Sequence, residues 1–185
     1  MDVTIISQRY ARAIFDLARE MNALEEVKED MDTLREVTFQ NPRFKRVMAS
    51  PIIPAGKKNS ILKGIFGKHF HTLTMRFLQL LTRKEREVYL REITESFEKL
   101  YKDHHNIITV TVTSTVALNK ENREELLNLL NEQTHKTVDL VEEVDEELIG
   151  GFVIKMEDRK YDASIRQKLE RLRKRFEKNL YVKEF

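Results

Sequence analysis

Residues 106–118 read NIITVTVTSTVAL. Within them Ile108, Val110, Val112, Val116 and Leu118 alternate with Thr109, Thr111, Thr113 and Thr115. An apolar period of two on β-branched residues predicts a strand with one buried face. The residues before it repeat at a period near four. The chain therefore divides here, into an all-helical segment 1–105 and a mixed segment 106–185.

Upstream, Ile6, Tyr10, Ala13, Ile14, Leu17 and Met21 repeat at the spacing of one helical face. Ala11, Phe15 and Ala18 lie off that stripe, so this helix has more apolar surface than one contact consumes. Asn22 followed by Glu25 predicts a cap for a second helix, with the stripe Leu24, Val27, Met31 and Leu34. Asn41 and Pro42 suit the N-cap and first position of a short helix ending at Ser50. Pro54 opens a helix through Ile61, Leu62, Ile65 and Phe66 that Gly67 stops. Phe70, Leu73, Phe77, Leu80 and Leu81 carry the period into a fifth helix, and Val88 to Tyr101 form a sixth ending near Asn106. Connections this short predict an antiparallel six-helix bundle.

Downstream, Asn119 is placed to cap a helix packing Leu126, Leu127 and Leu130. Val138, Leu140 and Val144 suggest a second strand, and Phe152 to Met156 a third. Glu157, Asp158, Arg159 and Lys160 then turn a hairpin back through Tyr161. Ser164 and Gln167 have capping-box spacing before a last helix with Ile165, Leu169, Leu172 and Phe176 on one face. The expected fold class is α+β, a helical bundle followed by a small mixed α/β domain.

Bulk composition excludes several functions. The 185 residues contain no cysteine, which removes disulfides, thiolate chemistry and Cys-based metal sites. No apolar run reaches the roughly 20 residues that span a bilayer, and the Met1–Asp2 opening lacks presequence character, so a cytoplasmic chain without direct membrane insertion is expected. Net charge is +2, yet residues 120–158 hold 12 acids against 4 bases and residues 159–183 hold 10 bases against 3 acids. The seven bases from Arg166 to Lys178 admit a second reading, a nucleic-acid-binding module, although no aromatic platform accompanies them. His69 and His71, His104 and His105, and His135 form no metal-ligand pattern. Gly64, Gly67 and Lys68 lack phosphate-loop spacing. No nucleophile or acid–base constellation stands out, so no catalytic residue, cofactor or metal is expected.

The stretch VDEELIGGFVIKMEDRKYDASIRQKLERLRKRF, residues 144–176, closely resembles the C-terminal signature of the delta subunits of bacterial F-type ATP synthases, homologous to the mitochondrial oligomycin-sensitivity-conferring protein. Asp145, the apolar Leu148 and Ile149, the pair Gly150 and Gly151, Asp162 and Ser164 occur in family order. RYARAIFDLA at Arg9 to Ala18 resembles the family's first helix, and Ser50–Pro51 with Phe77, Leu78, Leu81 and Arg86 its middle. RKER at 83–86 and STVAL at 114–118 depart from the usual pattern.

The resemblance implies a non-catalytic stator subunit of a proton-translocating synthase, present in a single copy. It would sit peripherally on the cytoplasmic face of the bacterial plasma membrane. Its amino-terminal domain would receive the amino-terminal helix of the alpha subunit, and its carboxy-terminal domain would contact the b subunit's C-terminal region. A partner helix lying between the first and fifth helices would use anchors three or four residues apart. Tyr10, Ile14, Phe77 and Leu80 are the expected groove residues, with the small Ala13 admitting close approach. Gly150 and Gly151 are expected to serve backbone geometry, and Asp162 the start of the last helix.

Overall fold

In the computed structural model, residues 3–156 and 159–177 are described. The Met1–Asp2 opening, the turn residues Glu157 and Asp158, and Lys178 of the basic run lie outside them. The architecture is α+β, in two compact units, Met1–His104 and His105–Phe185.

The first unit contains α1 (Val3–Glu20), α2 (Leu24–Gln40), α3 (Pro42–Ala49), α4 (Ala55–Phe66), α5 (Thr72–Arg83), a 3₁₀ turn at Glu87–Tyr89, and α6 (Leu90–His104). The inward face of α1 is Ser7, Ala11, Ile14, Phe15 and Ala18, all buried. The small side chains of Ser7, Ala11 and Ala18 let α6 approach, and Phe15 meets Phe97 edge-on at 5.9 Å. Around this contact Met31, Leu34, Leu62, Leu78 and Ile93 close the core.

Helix boundaries follow local chemistry with one correction. The Asn41 side chain accepts from the amides of Arg43 and Phe44 and so caps α3. Asn22 caps nothing: it takes φ 53° between α1 and α2, and the N-cap position of α2 is Ala23, without a side-chain hydrogen bond. A left-handed residue after a helix reverses the chain, and Asn tolerates that conformation.

Two buried polar contacts position α5. Asp30 of α2 accepts from the His71 amide at 2.8 Å, just ahead of α5. Burial pushes its carboxyl above the ordinary 3.8, against the opposing pull of the Thr74 hydroxyl and the His71 amide. Lys58 of α4 donates to the Met48 carbonyl at 2.8 Å and to Glu87 at 2.5 Å. That pair ties α3, α4 and the 3₁₀ turn together behind α5. Losing one partner would strand a buried charge, at a cost of about 3–5 kcal/mol.

The second unit has β1 (Ile107–Ser114), α7 (Lys120–Thr134), β2 (Thr137–Val144), β3 (Phe152–Met156), β4 (Arg159–Asp162) and α8 (Ile165–Glu177). Strand order is β2-β1-β3-β4, with β1 parallel to β2 and antiparallel to β3. Ile108, Val110 and Val112 of β1 join Leu130 of α7 and Ile154 in the core. The strand stops at Ser114, short of the expected alternation through Leu118. The Ser114 hydroxyl donates to the Val116 carbonyl at 2.7 Å, and Val116 is exposed.

Gly150 and Gly151 adopt φ of 154° and 84°, and they lie against the start of α8. A Cβ on Gly151 would stand 2.5 Å from the Ala163 carbonyl oxygen. A Cβ on Gly150 would stand 2.6 Å from the tip of Ile165. By contrast, Gly64 sits in α4 with nothing within 4 Å of an added Cβ.

Gly151→Ala is therefore expected to destabilise the second unit by about 2 kcal/mol or more, whereas Gly64→Ala stabilises the first by about 0.5–1 kcal/mol. Amide exchange resolved by residue under urea reads the two units separately. Asp30 supplies a pH test. A carboxyl whose value is raised on folding favours the folded state below its unfolded value, and that advantage is lost as pH rises through the folded value. Asp30→Asn keeps an acceptor for the His71 amide. Its stability deficit against the parent chain should be larger near pH 4 than near pH 7, as read by unfolding of the first unit.

Candidate functional site

With the small-residue face of α1 committed to α6, its other apolar face is left over. That face is the stripe Ile6, Tyr10, Ala13, Ile14, Leu17 and Met21, and it forms one wall of an open cleft of about 870 Å³. Leu73, Arg76, Phe77 and Leu80 of α5 form the other wall. The floor is rigid: Ile14 is 2% exposed, Phe77 is buried, and the Tyr10 ring meets Phe77 edge-on at 6.5 Å. The walls are open to solvent. Ala13, Leu17 and Leu80 are exposed, and Met21 is 56% exposed at one end. Exposed apolar side chains contiguous in one concave strip on a folded unit mark an interaction surface.

All five residues expected from the sequence, Tyr10, Ala13, Ile14, Phe77 and Leu80, line this one cleft. Ile14 and Phe77 belong chiefly to the core and reach the cleft only at its floor. Sequence reasoning missed the cleft's polar members, Arg9, Arg76, Lys84 and Arg86. Arg76 lies four residues before Leu80 and Arg9 four before Ala13. Helical spacing from the chosen anchors was the signal that could have found those two.

Of the signature residues of the second unit, Gly150, Gly151, Asp162 and Ser164 meet at the start of α8, and Asp145 sits against the end of β1. The Asp145 amide donates to the Ser114 carbonyl at 2.9 Å, and its carboxylate accepts from the Glu147 amide at 3.0 Å. The Ile165 amide donates to the Gly150 carbonyl at 2.9 Å, and the Ala163 amide to the Phe152 carbonyl at 3.0 Å. Asp162 accepts from the Ser164 amide at 3.0 Å, while the Ser164 hydroxyl accepts from the Gln167 amide at 3.3 Å. Hydrogen bonds from the Ser164 hydroxyl and amide hold the Asp162 carboxyl below its ordinary value. Gln167 has the spacing to answer Ser164 in a capping box but instead accepts from Arg171; Asp162 takes the Ser164 amide. Glycine pair, Asp162 and Ser164 thus form a joint that launches α8, whose stripe Ile165, Leu169, Leu172 and Phe176 is exposed.

Among the described residues no cluster of His, Asp and Glu could hold a metal ion, and no helix is long and apolar enough to cross a membrane. Both surfaces suit binding a protein partner, one a concave cleft and the other an exposed apolar helix stripe.

Comparison with known proteins gives a consistent result. The family model described as ATP synthase delta (OSCP) subunit matches residues 6–176. The ATP synthase subunit delta of Cytophaga hutchinsonii is 36% identical over 176 residues, covering 95% of this chain and 96% of that one. That of Salinibacter ruber is 37% identical, covering 91% and 89%. A chain in the cryo-EM structure of the Toxoplasma gondii mitochondrial ATP synthase hexamer shares the fold, with a TM-score of 0.73 over 92% of this chain and 96% of that chain at 19% identity. Matched by the family model along nearly its whole length, and more than a third identical to these bacterial relatives, the chain belongs to the ATP synthase delta (OSCP) subunit family.

Proposed function

We propose that this protein is the non-catalytic peripheral-stalk subunit of a proton-translocating ATP synthase, held on the cytoplasmic face of the plasma membrane through the complex. It ties the catalytic head to the membrane-anchored b subunits, so that rotor rotation is coupled to ATP synthesis instead of spinning the head. Residues 1–105 form the alpha-subunit-binding domain, a six-helix antiparallel bundle, and residues 106–185 the stalk-binding domain. The observation that carries this reading is the groove between α1 and α5. It has an apolar floor and open apolar walls. The amino-terminal helix of the alpha subunit, laid in it, would bury anchors three and four residues apart. The relatives' shared name supports the assignment to the synthase.

A joint that outlasts many catalytic cycles needs nanomolar affinity, about 12 kcal/mol. The packed floor helps reach it, because Ile14 and Phe77 are already buried before the partner arrives and little entropy is lost there on binding. For the b subunit's C-terminal region we assign the exposed stripe of α8. Phe176 is 76% exposed near its end, which favours a partner over a solvated helix.

Leu80→Glu and Tyr10→Glu should each weaken capture of a peptide from the amino terminus of the alpha subunit by at least about 10-fold, since a charge is placed on apolar surface the peptide must cover. Leu169→Glu with Leu172→Glu should leave that affinity unchanged and instead weaken capture of a peptide from the carboxy-terminal end of the b subunit. Calorimetry reads both, and unchanged binding by the groove variants rejects the groove assignment. For the whole function, the purified protein should restore coupled ATP synthesis to membranes stripped of their stator connector. Failure to restore it, with the remaining complex intact, rejects the role.

A further inference from the structure

Resting on the reading that the groove receives a helix, we propose that its rim selects an occupant whose apolar face is flanked by carboxylates. The cleft is lined by four cations, Arg9, Arg76, Lys84 and Arg86, and by no acidic residue. Arg9, Arg76 and Lys84 are exposed, and Arg86 is half-buried. Elsewhere on the same unit some cations, though not all, meet carboxylates: Lys28 with Asp32, Arg35 with Glu98, Arg91 with Glu95 and Lys102 with Glu98. Around the groove no such pairing occurs among the described residues, and Arg86 donates only to the Glu85 carbonyl at 3.2 Å.

The arrangement has a clear electrostatic consequence. Four like charges bordering an apolar strip raise a positive potential along it, which draws in an acidic segment and repels a basic one. Wall length sets the occupant's size, because the stripe from Ile6 to Met21 runs about 22 Å, or about four helical turns. Its apolar anchors supply most of the affinity. Carboxylates at the flanking positions choose among helices that would fit equally well by shape, since rim charges act more on selection and association rate than on total binding energy. Lys84 and Arg86 follow α5 on the segment anchored by Glu87, whose buried pair with Lys58 holds the 3₁₀ turn. The backbone that carries two of the four cations is thereby tied to the bundle.

Three synthetic amphipathic peptides of about 15 residues test this, with one shared apolar face and flanks of Glu, Gln or Lys. By calorimetry on the full chain near 50 mM salt, the Glu-flanked peptide should bind about 10-fold or more tighter than the Lys-flanked one, with Gln between. Raising salt to about 0.5 M should shrink the gap several-fold, as the screening length falls to a few ångströms. Arg9→Gln with Arg76→Gln should narrow the preference, and Arg9→Glu with Arg76→Glu should reverse it. Both positions are exposed, and circular dichroism on each variant is to show the helical signal of the parent chain. Equal affinity for the Glu and Lys peptides, or a preference indifferent to these substitutions, overturns charge selection. If none of the three binds while the peptide from the alpha subunit still binds in a Leu80-dependent way, charge selection alone is overturned. If that peptide is not captured either, the helix-receiving reading falls with it.

Discussion

The first unit depends on how closely α1 packs against α6. Ser7, Ala11 and Ala18 are small buried residues of α1, and Phe15 beside them meets Phe97 edge-on. Because small residues satisfy the interior, the larger side chains of α1 are free to face elsewhere. Tyr10, Leu17 and Met21 therefore line a groove. A bulkier residue at Ala11 or Ala18 would push α1 outward and change the width between it and α5. The groove is thus a by-product of core packing, and its floor shares the close packing of the core.

The opposite wall is held from behind. Asp30 reaches across from α2 to the amide just ahead of α5, and the Lys58–Glu87 pair fixes the turn that follows it. Both contacts set buried charge against hydrogen bonding, an arrangement that favours one geometry at some expense of stability. For a chain belonging to the delta (OSCP) family that is a sensible allocation. In the proposed stator role, a connector under torsional load would gain more from a wall that does not move than from a few more kilocalories of folding free energy. The second unit repeats the logic in backbone terms, since two glycines with positive φ let the Ala163–Ile165 segment approach and so set where α8 begins.

How much of this could be read beforehand depended on how local each determinant is. Asn41–Pro42 and Asn119 were legible because a cap is a matter of three residues, and both act as caps. The strand Phe152–Met156 has the expected ends because the glycine pair limits it on one side. Asn22 misled because Asn suits both an N-cap and a left-handed turn, and only the reversal between α1 and α2 decides between them. Which face of α1 turns inward was not legible either. Both faces are apolar, and periodicity cannot say which finds α6. The cations around the groove come from positions 9, 76, 84 and 86, and only tertiary packing makes them neighbours. The link from Asp30 to His71 spans 41 residues and left no local trace.

The central claim is that the groove between α1 and α5 is where the head of the synthase is grasped. Placing a photoreactive benzoylphenylalanine at Leu80 in the assembled complex tests it most directly. On irradiation the account predicts one dominant adduct, with the amino-terminal segment of the alpha subunit, lost when that segment is deleted. A Leu80 probe that cross-links to another subunit, or to none while the complex remains assembled, would contradict it.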